Sequence, residues 1–305
     1  MILVFGSINI DVLVPVPVLP RPGETVLGGD HALLPGGKGA NQALAARRAG
    51  AAVMMAGAVG TDSFADFALE LLRRDGVDLA LVRQVDRPTG CALIMVGAAG
   101  DPQGGQRGAQ RGENLIAVAS GANREAAAAG VPDTVLAPAT ILVCQMEVPA
   151  TENWALIRRA RARGARIVLN LAPAAPIDPA LFGEIDILVA NAGEAAVLGA
   201  DPASLAGRLR QALVVTRGGA GSVAFLAGGG HFEIPALAIE PIDTTGAGDA
   251  FVGVLAAGID MRLPLPAALR HASAAAGLAC LAHGAQTAMP GRAAIEASAA
   301  HLPKD

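Results

Sequence analysis

The chain has 305 residues, 16% of them charged, and a formal net charge of −4 at pH 7. This length lies near the upper limit for a single hydrophobic core, which favours one large domain with an appendage over two equal domains. The acidic balance, with a pI near 5.7, argues against a nucleic-acid partner and against binding to an anionic membrane. We therefore expect a small-molecule partner.

The cysteines and the first residues of the chain indicate the cellular compartment. Cys91, Cys144 and Cys280 lie far apart without a Cys-x-x-Cys pair, which favours a reducing compartment over a disulfide framework or a zinc site. The first residues lack the basic region of a signal peptide. The alanine-rich segments are interrupted before they reach the roughly 20 residues of a membrane span. The expected location is the cytoplasm.

Short apolar or β-branched runs alternate along the chain with helical patterns. This alternation is typical of an α/β sandwich around a mainly parallel sheet. The predicted buried strands are residues 2–5, 53–59, 141–145, 167–171, 187–190 and 213–216. One helix is predicted over 62–75, capped by Asp62 and ended by Gly76, and another over 149–163. The apolar stripe expected for the first helix is Phe64, Phe67, Leu71 and Leu72.

Two stretches, 11–33 and 89–119, break the alternation with extended segments joined by Pro and Gly turns. Antiparallel hairpins beside a parallel sheet commonly form a lid or a subunit contact. We therefore expect a large α/β domain of residues 1–10, 34–88 and 120–305 and a β lid of residues 11–33 and 89–119. The Gly-, Gln- and Arg-rich stretch 97–112 is too polar to pack and is expected to be a mobile loop.

The strongest local signal is the sequence DTTGAGDAF at 243–251, which precedes an apolar helical pattern. Its glycines allow backbone N–H groups to converge, and at a helix N-terminus such groups bind the charge of a phosphoryl group. Asp249 falls in the first turn, where a carboxylate can take a proton from a hydroxyl. An acidic residue capping a helix after a Gly turn is the alternative interpretation.

A second signal is GGKGANQA at 36–43, a turn that enters a helix. Lys38 and Lys304 are the only lysines among 23 basic residues, which favours a required compact ammonium at 38 over a solvated side chain. Lys38 is followed by Gly39 rather than Ser or Thr, and position 251 is Phe where a dinucleotide fingerprint needs Gly. Neither a P-loop NTPase nor a Rossmann dehydrogenase is therefore indicated.

Polar residues at two strand ends form weaker signals. Asn9 and Asp11 point to one side of a strand and can hold neighbouring hydroxyls, although capping of the strand end explains them equally well. Asn191 and Glu194 can orient water on Mg²⁺. A helix-capping pair is the competing interpretation of these two residues.

Taken in order, these segments resemble the ribokinase, or phosphofructokinase-B, family of carbohydrate kinases. The resemblance covers essentially the whole chain. It rests on GSINID at 6–11, PGET at 22–25, GGKGANQ at 36–42, EN at 113–114, GAN at 121–123, QME at 145–147, N-x-x-E at 191–194, DTTGAGD at 243–249 and GAQ at 284–286. It implies a three-layer α/β sandwich with a small β lid, ATP-dependent phosphorylation of a sugar, foremost ribose on its 5-hydroxyl, and a homodimer formed through the lids.

The resemblance also implies roles for individual residues. Asp249 is the expected general base, and the N–H groups of Gly246, Ala247 and Gly248 are the expected anion hole. The expected sugar contacts are Asn9, Asp11, Gly37, Lys38, Asn41 and Glu147, with Lys38 also near the transferred phosphate.

For the nucleotide and the metals, the resemblance implies that Asn191 and Glu194 serve Mg²⁺ and the phosphates. Thr216, Gly218 and Gly221 are expected to line the nucleotide groove, with His271 near the adenine. The expected K⁺ ligands are Asp243, Thr245, Ala279, Ala282 and Gly284. Ala288 stands where the family usually has a serine near this ion.

Two other functions remain open. Another family member acting on a nucleoside or a different sugar would share the fold and the base. A non-catalytic sugar or nucleotide sensor would be marked by loss of Asp249, Lys38 or the glycines, all of which are present.

Overall fold

A computed structural model describes residues 1–97 and 114–303. Of the expected loop 97–112, only Gly97 belongs to the described residues. The strands are β1 Ile2–Phe5, β2 Asn9–Val16, β3 Ala32–Gly36, β4 Val53–Val59, β5 Asp78–Gln84, β6 Gly90–Gly97, β7 Asn114–Ala119, β8 Ile141–Cys144, β9 Arg166–Asn170, β10 Ile187–Asn191, β11 Ala212–Thr216, β12 Ser222–Leu226 and β13 His231–Ile234. The α-helices are α1 Lys38–Arg48, α2 Ser63–Arg74, α3 Ala150–Ala162, α4 Ala192–Val197, α5 Pro202–Ala206, α6 Ala247–Asp260, α7 Leu265–Ala279 and α8 Arg292–His301.

The central sheet has nine strands in the order β13-β12-β11-β10-β9-β8-β1-β4-β5. Its pairs from β11 through β5 are parallel, and only β12 and β13 add antiparallel pairs at one edge. The prediction of a mainly parallel sheet is confirmed. In such sheets the ligand site lies at the carboxyl ends of the strands, where β1 leads toward β2 and where α1 and α6 begin.

Helices cover both faces of the central sheet, which separates two hydrophobic cores. Ile2 and Val4 of β1 pack in a core with residues of α1, α2, α6 and α7. Leu3 and Phe5 of the same strand pack in the other core with residues of α3 and α5. Alternate residues of one strand are therefore buried on opposite faces, and the three-layer prediction is confirmed.

Helix α2 begins and ends as predicted, but one residue of its expected apolar stripe is misplaced. The Asp62 carboxylate accepts a hydrogen bond from the N–H of Phe64 at 3.2 Å, and Gly76 follows the helix with a φ of 77°. The centre of the buried face is occupied by Ala65 and Ala68. Phe67 lies at the edge of this face and is exposed, so its place in the stripe was predicted wrongly.

A second sheet has four strands in the order β3-β2-β6-β7. The outer pairs β2–β3 and β6–β7 are antiparallel, as expected for hairpins, whereas the central pair β2–β6 is parallel over its whole length. Parallel pairing was not predicted, because no sequence signal specifies which strands of separate hairpins meet. Five large apolar side chains of this sheet are exposed: Leu33, Leu93, Leu115, Ile116 and Val118.

Among the helices of residues 1–97 and 114–303, none combines the length and apolar character of a membrane span.

Candidate active site

Asp249 lies in the first turn of α6, which follows a glycine in the left-handed backbone conformation. Gly246 precedes the helix with a φ of 77°, a conformation that side chains rarely adopt. The Asp249 carboxylate is buried, and its two oxygens accept hydrogen bonds from the side-chain amides of Asn41 and Gln42 on α1, both at 2.9 Å. The carboxylate therefore contacts another helix, in contrast to the capping interpretation, which predicts bonds within α6.

Lys38 begins α1 at the same end of the sheet. The preceding Gly37 has a φ of 89°, and a side chain there would overlap the backbone of Ile8 and Asn9. The negative charge of Asp249 raises the pKa of Lys38 most strongly, against the effect of burial. The charges of Glu147, Glu194 and Asp11 raise it further. The ammonium therefore stays protonated among carboxylates from four separate segments.

Glu147 follows β8 and joins it to the start of α1. Its Oε2 accepts hydrogen bonds from the Ser7 hydroxyl at 2.5 Å and from the backbone N–H of Lys38 at 3.1 Å. The Ser7 hydroxyl in turn accepts from the N–H of Gly39 at 3.3 Å. A carboxylate at this position also interacts favourably with the α1 dipole. The first turn of α1 is therefore held by side chains from two neighbouring strand ends.

Asn9 and Asp11 lie at the start of β2, where the two sheets meet. The Asn9 carbonyl oxygen accepts from the Asn123 amide at 2.7 Å, and Asn123 also accepts from the N–H of Ile8 at 2.9 Å. A side chain at Gly36 would overlap the Asp11 carboxylate. Burial, and then the charges of Glu147 and Asp249, raise the pKa of Asp11 to about 7, while Lys38 opposes the shift.

Two cavities meet at the first turn of α6. The first, of about 240 Å³, is lined by Lys38, by the expected base, by the two anion-hole glycines and by the two residues expected to serve Mg²⁺. The second, of about 320 Å³, is lined by Gly218 and Gly221 and by apolar side chains that include Leu237, Ile239 and Phe251. Thr216, Thr244 and Gly248 line both cavities. The first turn of α6 therefore stands at the junction of a polar and an apolar space.

Asn191 and Glu194 form a capping box at the start of α4. The Asn191 side chain accepts from the N–H of Glu194, and the Glu194 carboxylate accepts from the N–H of Asn191, both at 2.8 Å. The competing interpretation as a cap is thus correct in geometry. Both residues nevertheless line the polar cavity, and burial raises the pKa of Glu194.

His271 is not brought to the apolar cavity. Ser273, Ala276 and Gly277 of the same helix line it, and at 100° per residue His271 points away from that face. Burial lowers the pKa of His271, and the nearest charges that act on it are those of Glu296, Arg270 and Arg292. The structure therefore places this side chain toward α8 rather than in the lining of the apolar cavity.

The expected K⁺ residues bring two loops together. The Asp243 carboxylate accepts from the N–H of Thr245 and from the N–H of Gly284, both at 2.9 Å. Although burial alone would raise it, these hydrogen bonds hold the pKa of Asp243 below its usual value. A side chain at Gly246 would overlap Ala285, so the loop at 284–286 directly supports the start of α6.

Sequence reasoning missed five buried polar residues that connect the site. Gln42 and Gln145 lie within recognised motifs, yet their side-chain partners belong to distant segments and leave no local signal. The same holds for Asn123 in the GAN sequence. Asn170 ends β9 as Asn191 ends β10, so its position after a buried strand was an available signal. The missed residues are Ser7, Gln42, Asn123, Gln145 and Asn170.

Comparison with known proteins identifies the family. A family model described as pfkB family carbohydrate kinase matches residues 1–292. A ribokinase of Bacillus subtilis (strain 168) is 34% identical over 299 residues, which cover 97% of this chain and 98% of the relative. A ribokinase of Arabidopsis thaliana, solved in complex with ribose and ATP, superposes with a TM-score of 0.85 at 29% identity, with 98% of each chain covered.

A nucleoside kinase of Burkholderia thailandensis, solved in complex with inosine, superposes with a TM-score of 0.83 at 24% identity, covering 98% of this chain and 96% of that one. This last likeness shows the fold alone. The chain belongs to the pfkB family of carbohydrate kinases, which are phosphotransferases acting on a sugar hydroxyl.

The raised pKa of Asp11 predicts a dependence of stability on pH. Its folded-state pKa of about 7 lies above the ordinary value of 3.8, so between these pH values the folded chain keeps a proton that the unfolded chain loses. The wild type should therefore lose stability as pH rises from about 4 to about 7. Asn cannot titrate, so Asp11→Asn should raise Tm at pH 8 by about 3 °C or more relative to wild type.

Thermal unfolding monitored by circular dichroism across this pH range checks the prediction, and the Tm difference should shrink toward pH 4. Asp66→Asn serves as the matched control, because the Asp66 side chain is 93% exposed. A Tm difference for Asp11→Asn that does not change with pH would contradict the prediction.

Proposed function

We propose that the chain is a ribokinase that transfers the terminal phosphoryl group of ATP to the 5-hydroxyl of D-ribose. The observation that carries the proposal is the position of Asp249 in the first turn of α6. There its carboxylate lies buried beside Lys38, where a polar and an apolar cavity meet. The full-length similarity to a ribokinase of Bacillus subtilis supports ribose as the acceptor.

In the proposed reaction, Asp249 takes the proton of the sugar hydroxyl while the hydroxyl oxygen bonds to the terminal phosphorus of ATP. The bond between that phosphorus and the bridging oxygen breaks, and ADP leaves. The N–H groups of Gly246, Ala247 and Gly248 face the charge that develops on the phosphoryl oxygens. First-turn N–H groups of a helix lack partners within the helix and are free for an anion. The N–H of Ala247 is also within 3.3 Å of the Thr244 carbonyl, so Gly246 and Gly248 supply the less engaged donors.

The sugar is proposed to lie among Asn9, Asp11, Gly37, Lys38, Asn41 and Glu147. The side-chain nitrogen of Asn41 donates to Asp249. The side-chain oxygen of Asn41 is buried without a hydrogen-bond partner among the described residues. A sugar hydroxyl suits this acceptor, since buried polar atoms need partners. Asp11 and Glu147 add carboxylates that accept from hydroxyl pairs. This set contains no aromatic side chain on which a nucleobase would stack, which favours a free sugar.

The nucleotide is proposed to occupy the apolar cavity, with its base against Leu237, Ile239 and Phe251 and its phosphates toward Gly248. Thr216, Gly218 and Gly221 line that route. His271 is withdrawn from the proposed adenine contact, since it points toward α8. Within residues 1–97 and 114–303 no group of three or more metal-binding side chains lies together. Mg²⁺ would therefore arrive with the phosphates and meet Asn191 and Glu194 through water.

A monovalent cation site is proposed between the loops that contain Asp243 and Gly284. Among the described residues, no loop or turn hydrogen bond engages the carbonyl oxygens of Thr245, Ala282 or Gly284, and oxygen atoms of this kind suit a hard cation. Ala279 ends α7 beside them. K⁺ bound there would supply a positive charge behind the Gly246 turn, which rests on Ala285.

Pairing of two chains through the second sheet is also proposed. Leu33, Leu93 and Leu115 are exposed on one face of the second sheet, and contiguous exposed apolar surface marks an interaction site. A lid domain of residues 11–33 and 89–119 would supply this surface. A solution mass by light scattering equal to the 30.4 kDa of a single chain would contradict the pairing.

The acceptor is tested with ATP, Mg²⁺ and a set of substrates: D-ribose, 5-deoxy-D-ribose, D-fructose, adenosine and inosine. We expect ribose to give the highest kcat/KM, because buried partners are left unsatisfied when a hydroxyl is missing. The analogue 5-deoxy-D-ribose should inhibit competitively without being phosphorylated, which isolates the 5-hydroxyl as the acceptor.

Phosphorylation of 5-deoxy-D-ribose would place the transfer on a different hydroxyl. A higher kcat/KM for adenosine or inosine would make the protein a nucleoside kinase and would overturn ribose as the acceptor.

Potassium should still activate the enzyme, but with weaker affinity than in Ala288→Ser. Ala288 is buried near this loop and cannot supply the oxygen that serine offers, while the proposed carbonyl ligands remain. Rates are titrated with potassium chloride against choline chloride at fixed ionic strength in both proteins. Equal activation constants would contradict the role of position 288, and rates independent of potassium in both would remove the ion site.

A further inference from the structure

Helices α1 and α6 meet with their backbones in contact one turn beyond Asp249. A methyl group at Gly253 would overlap the carbonyl oxygen of Gln42 and would crowd Ala45 and Ala46. A glycine at 253 therefore permits an approach that no other residue allows. This approach brings the Gln42 side chain to the Asp249 carboxylate.

The Gln42 side-chain amide is fully buried, and both its nitrogen and its oxygen form hydrogen bonds. Its Nε2 donates to Asp249 Oδ1 at 2.9 Å and to Asn170 Oδ1 at 3.0 Å. Its Oε1 accepts from Nε2 of Gln145 at 2.7 Å, and Gln145 is also fully buried. One amide, that of Gln42, therefore contacts Oδ1 of the carboxylate, and the side chains of Asn170 on β9 and Gln145 after β8 hold that amide in place.

The orientation of this chain of amides follows from the carboxylate. An ionised carboxylate only accepts hydrogen bonds, so the Nε2 of Gln42 must face Asp249. The Oε1 of Gln42 then faces Gln145, which must donate. Asn41 contacts the other carboxylate oxygen, Oδ2. The two oxygens of Asp249 thus have different surroundings: Oδ1 faces the buried amides, and Oδ2 faces a residue of the proposed sugar site.

We propose that Gln42 and Gln145 are positioning residues that hold Asp249 Oδ1, so that Oδ2 is the oxygen that takes the proton from the substrate hydroxyl. This inference rests on the proposed kinase function. Gln42 touches the carboxylate directly, and Gln145 acts through Gln42. Neither residue lines the polar cavity, so neither is assigned a contact with the sugar.

Loss of the Gln42 amide has two consequences for the reaction. The carboxylate loses a donor that favours its ionised form, so the acid limb of the pH–kcat profile moves to higher pH. The carboxylate also gains rotational freedom, which slows a proton transfer that depends on geometry. The sugar contacts are unchanged, so KM for the sugar should hold.

The test compares Gln42→Met and Gln145→Met with wild type in steady-state kinetics with ATP, Mg²⁺ and ribose over acidic to neutral pH. Met keeps the side-chain length and removes the amide. We expect kcat of Gln42→Met to fall about 10- to 100-fold with ribose KM within about twofold of wild type. Gln145→Met should shift kcat and the acid limb in the same direction by a smaller amount.

Thr140→Val is the matched control for loss of a buried hydrogen bond remote from the site. The Thr140 hydroxyl donates to the Val135 carbonyl at 2.7 Å, and this variant should keep the wild-type pH profile and kcat at a similar cost in Tm. If the wild type is active and Gln42→Met has the same kcat and pH profile as the wild type, the positioning role is overturned. If Gln42→Met does not fold, an unchanged acid limb in Gln145→Met overturns it instead. A wild type inactive on every substrate would overturn the kinase function itself.

Discussion

The buried carboxylate of Asp249 constrains how α1 and α6 can pack. A buried charge is costly unless hydrogen bonds satisfy it, and two consecutive residues of α1, Asn41 and Gln42, donate to its two oxygens. Consecutive residues can reach one group only if the helix passes very close. Gly253 allows that passage, because a side chain there would overlap the backbone of α1.

Residues of the candidate active site also fix the position of the N-terminal end of α1. The side chains of Glu147 and Ser7 accept hydrogen bonds from backbone N–H groups in the first turn of α1. Gly37 has no side chain, so this turn can lie against the backbone that follows β1. The same residues that bring Lys38 into the cavity therefore stabilise the start of the helix. Structure and proposed function depend here on one set of contacts, so substitutions in GGKGANQ should affect both.

Carboxylates are crowded around Asp11 in the proposed sugar site. Asp11 has its pKa raised by burial and by two neighbouring carboxylates, and a single ammonium, that of Lys38, opposes this. Crowded like charges of this kind lower stability and are relieved when a ligand supplies donors. Sugar hydroxyls are such donors. Lys38, one of two lysines among 23 basic residues, supplies the opposing positive charge.

The sequence predicted the elements of this fold better than their packing. The strands at 2–5 and 53–59 have the predicted bounds, because a short apolar run between turn residues has few alternatives. Phe67 and His271 were misplaced because the buried face of a helix depends on its neighbours. The amides of Gln42 and Gln145 were missed for the same reason, since each meets partners more than a hundred residues away along the chain.

The central claim, that Asp249 is the base, is tested most directly by a single-turnover experiment with Asp249→Asn. The fold should survive, because the side-chain oxygen of Asn41 has no hydrogen-bond partner within residues 1–97 and 114–303. The Asn41 amide can therefore rotate so that this oxygen accepts from the new amide at 249. Rapid-quench measurement of ribose 5-phosphate, with ATP and ribose affinities from calorimetry, should show near wild-type binding and a transfer rate lower by about 10²-fold or more. A transfer rate close to that of wild type in Asp249→Asn would contradict the claim.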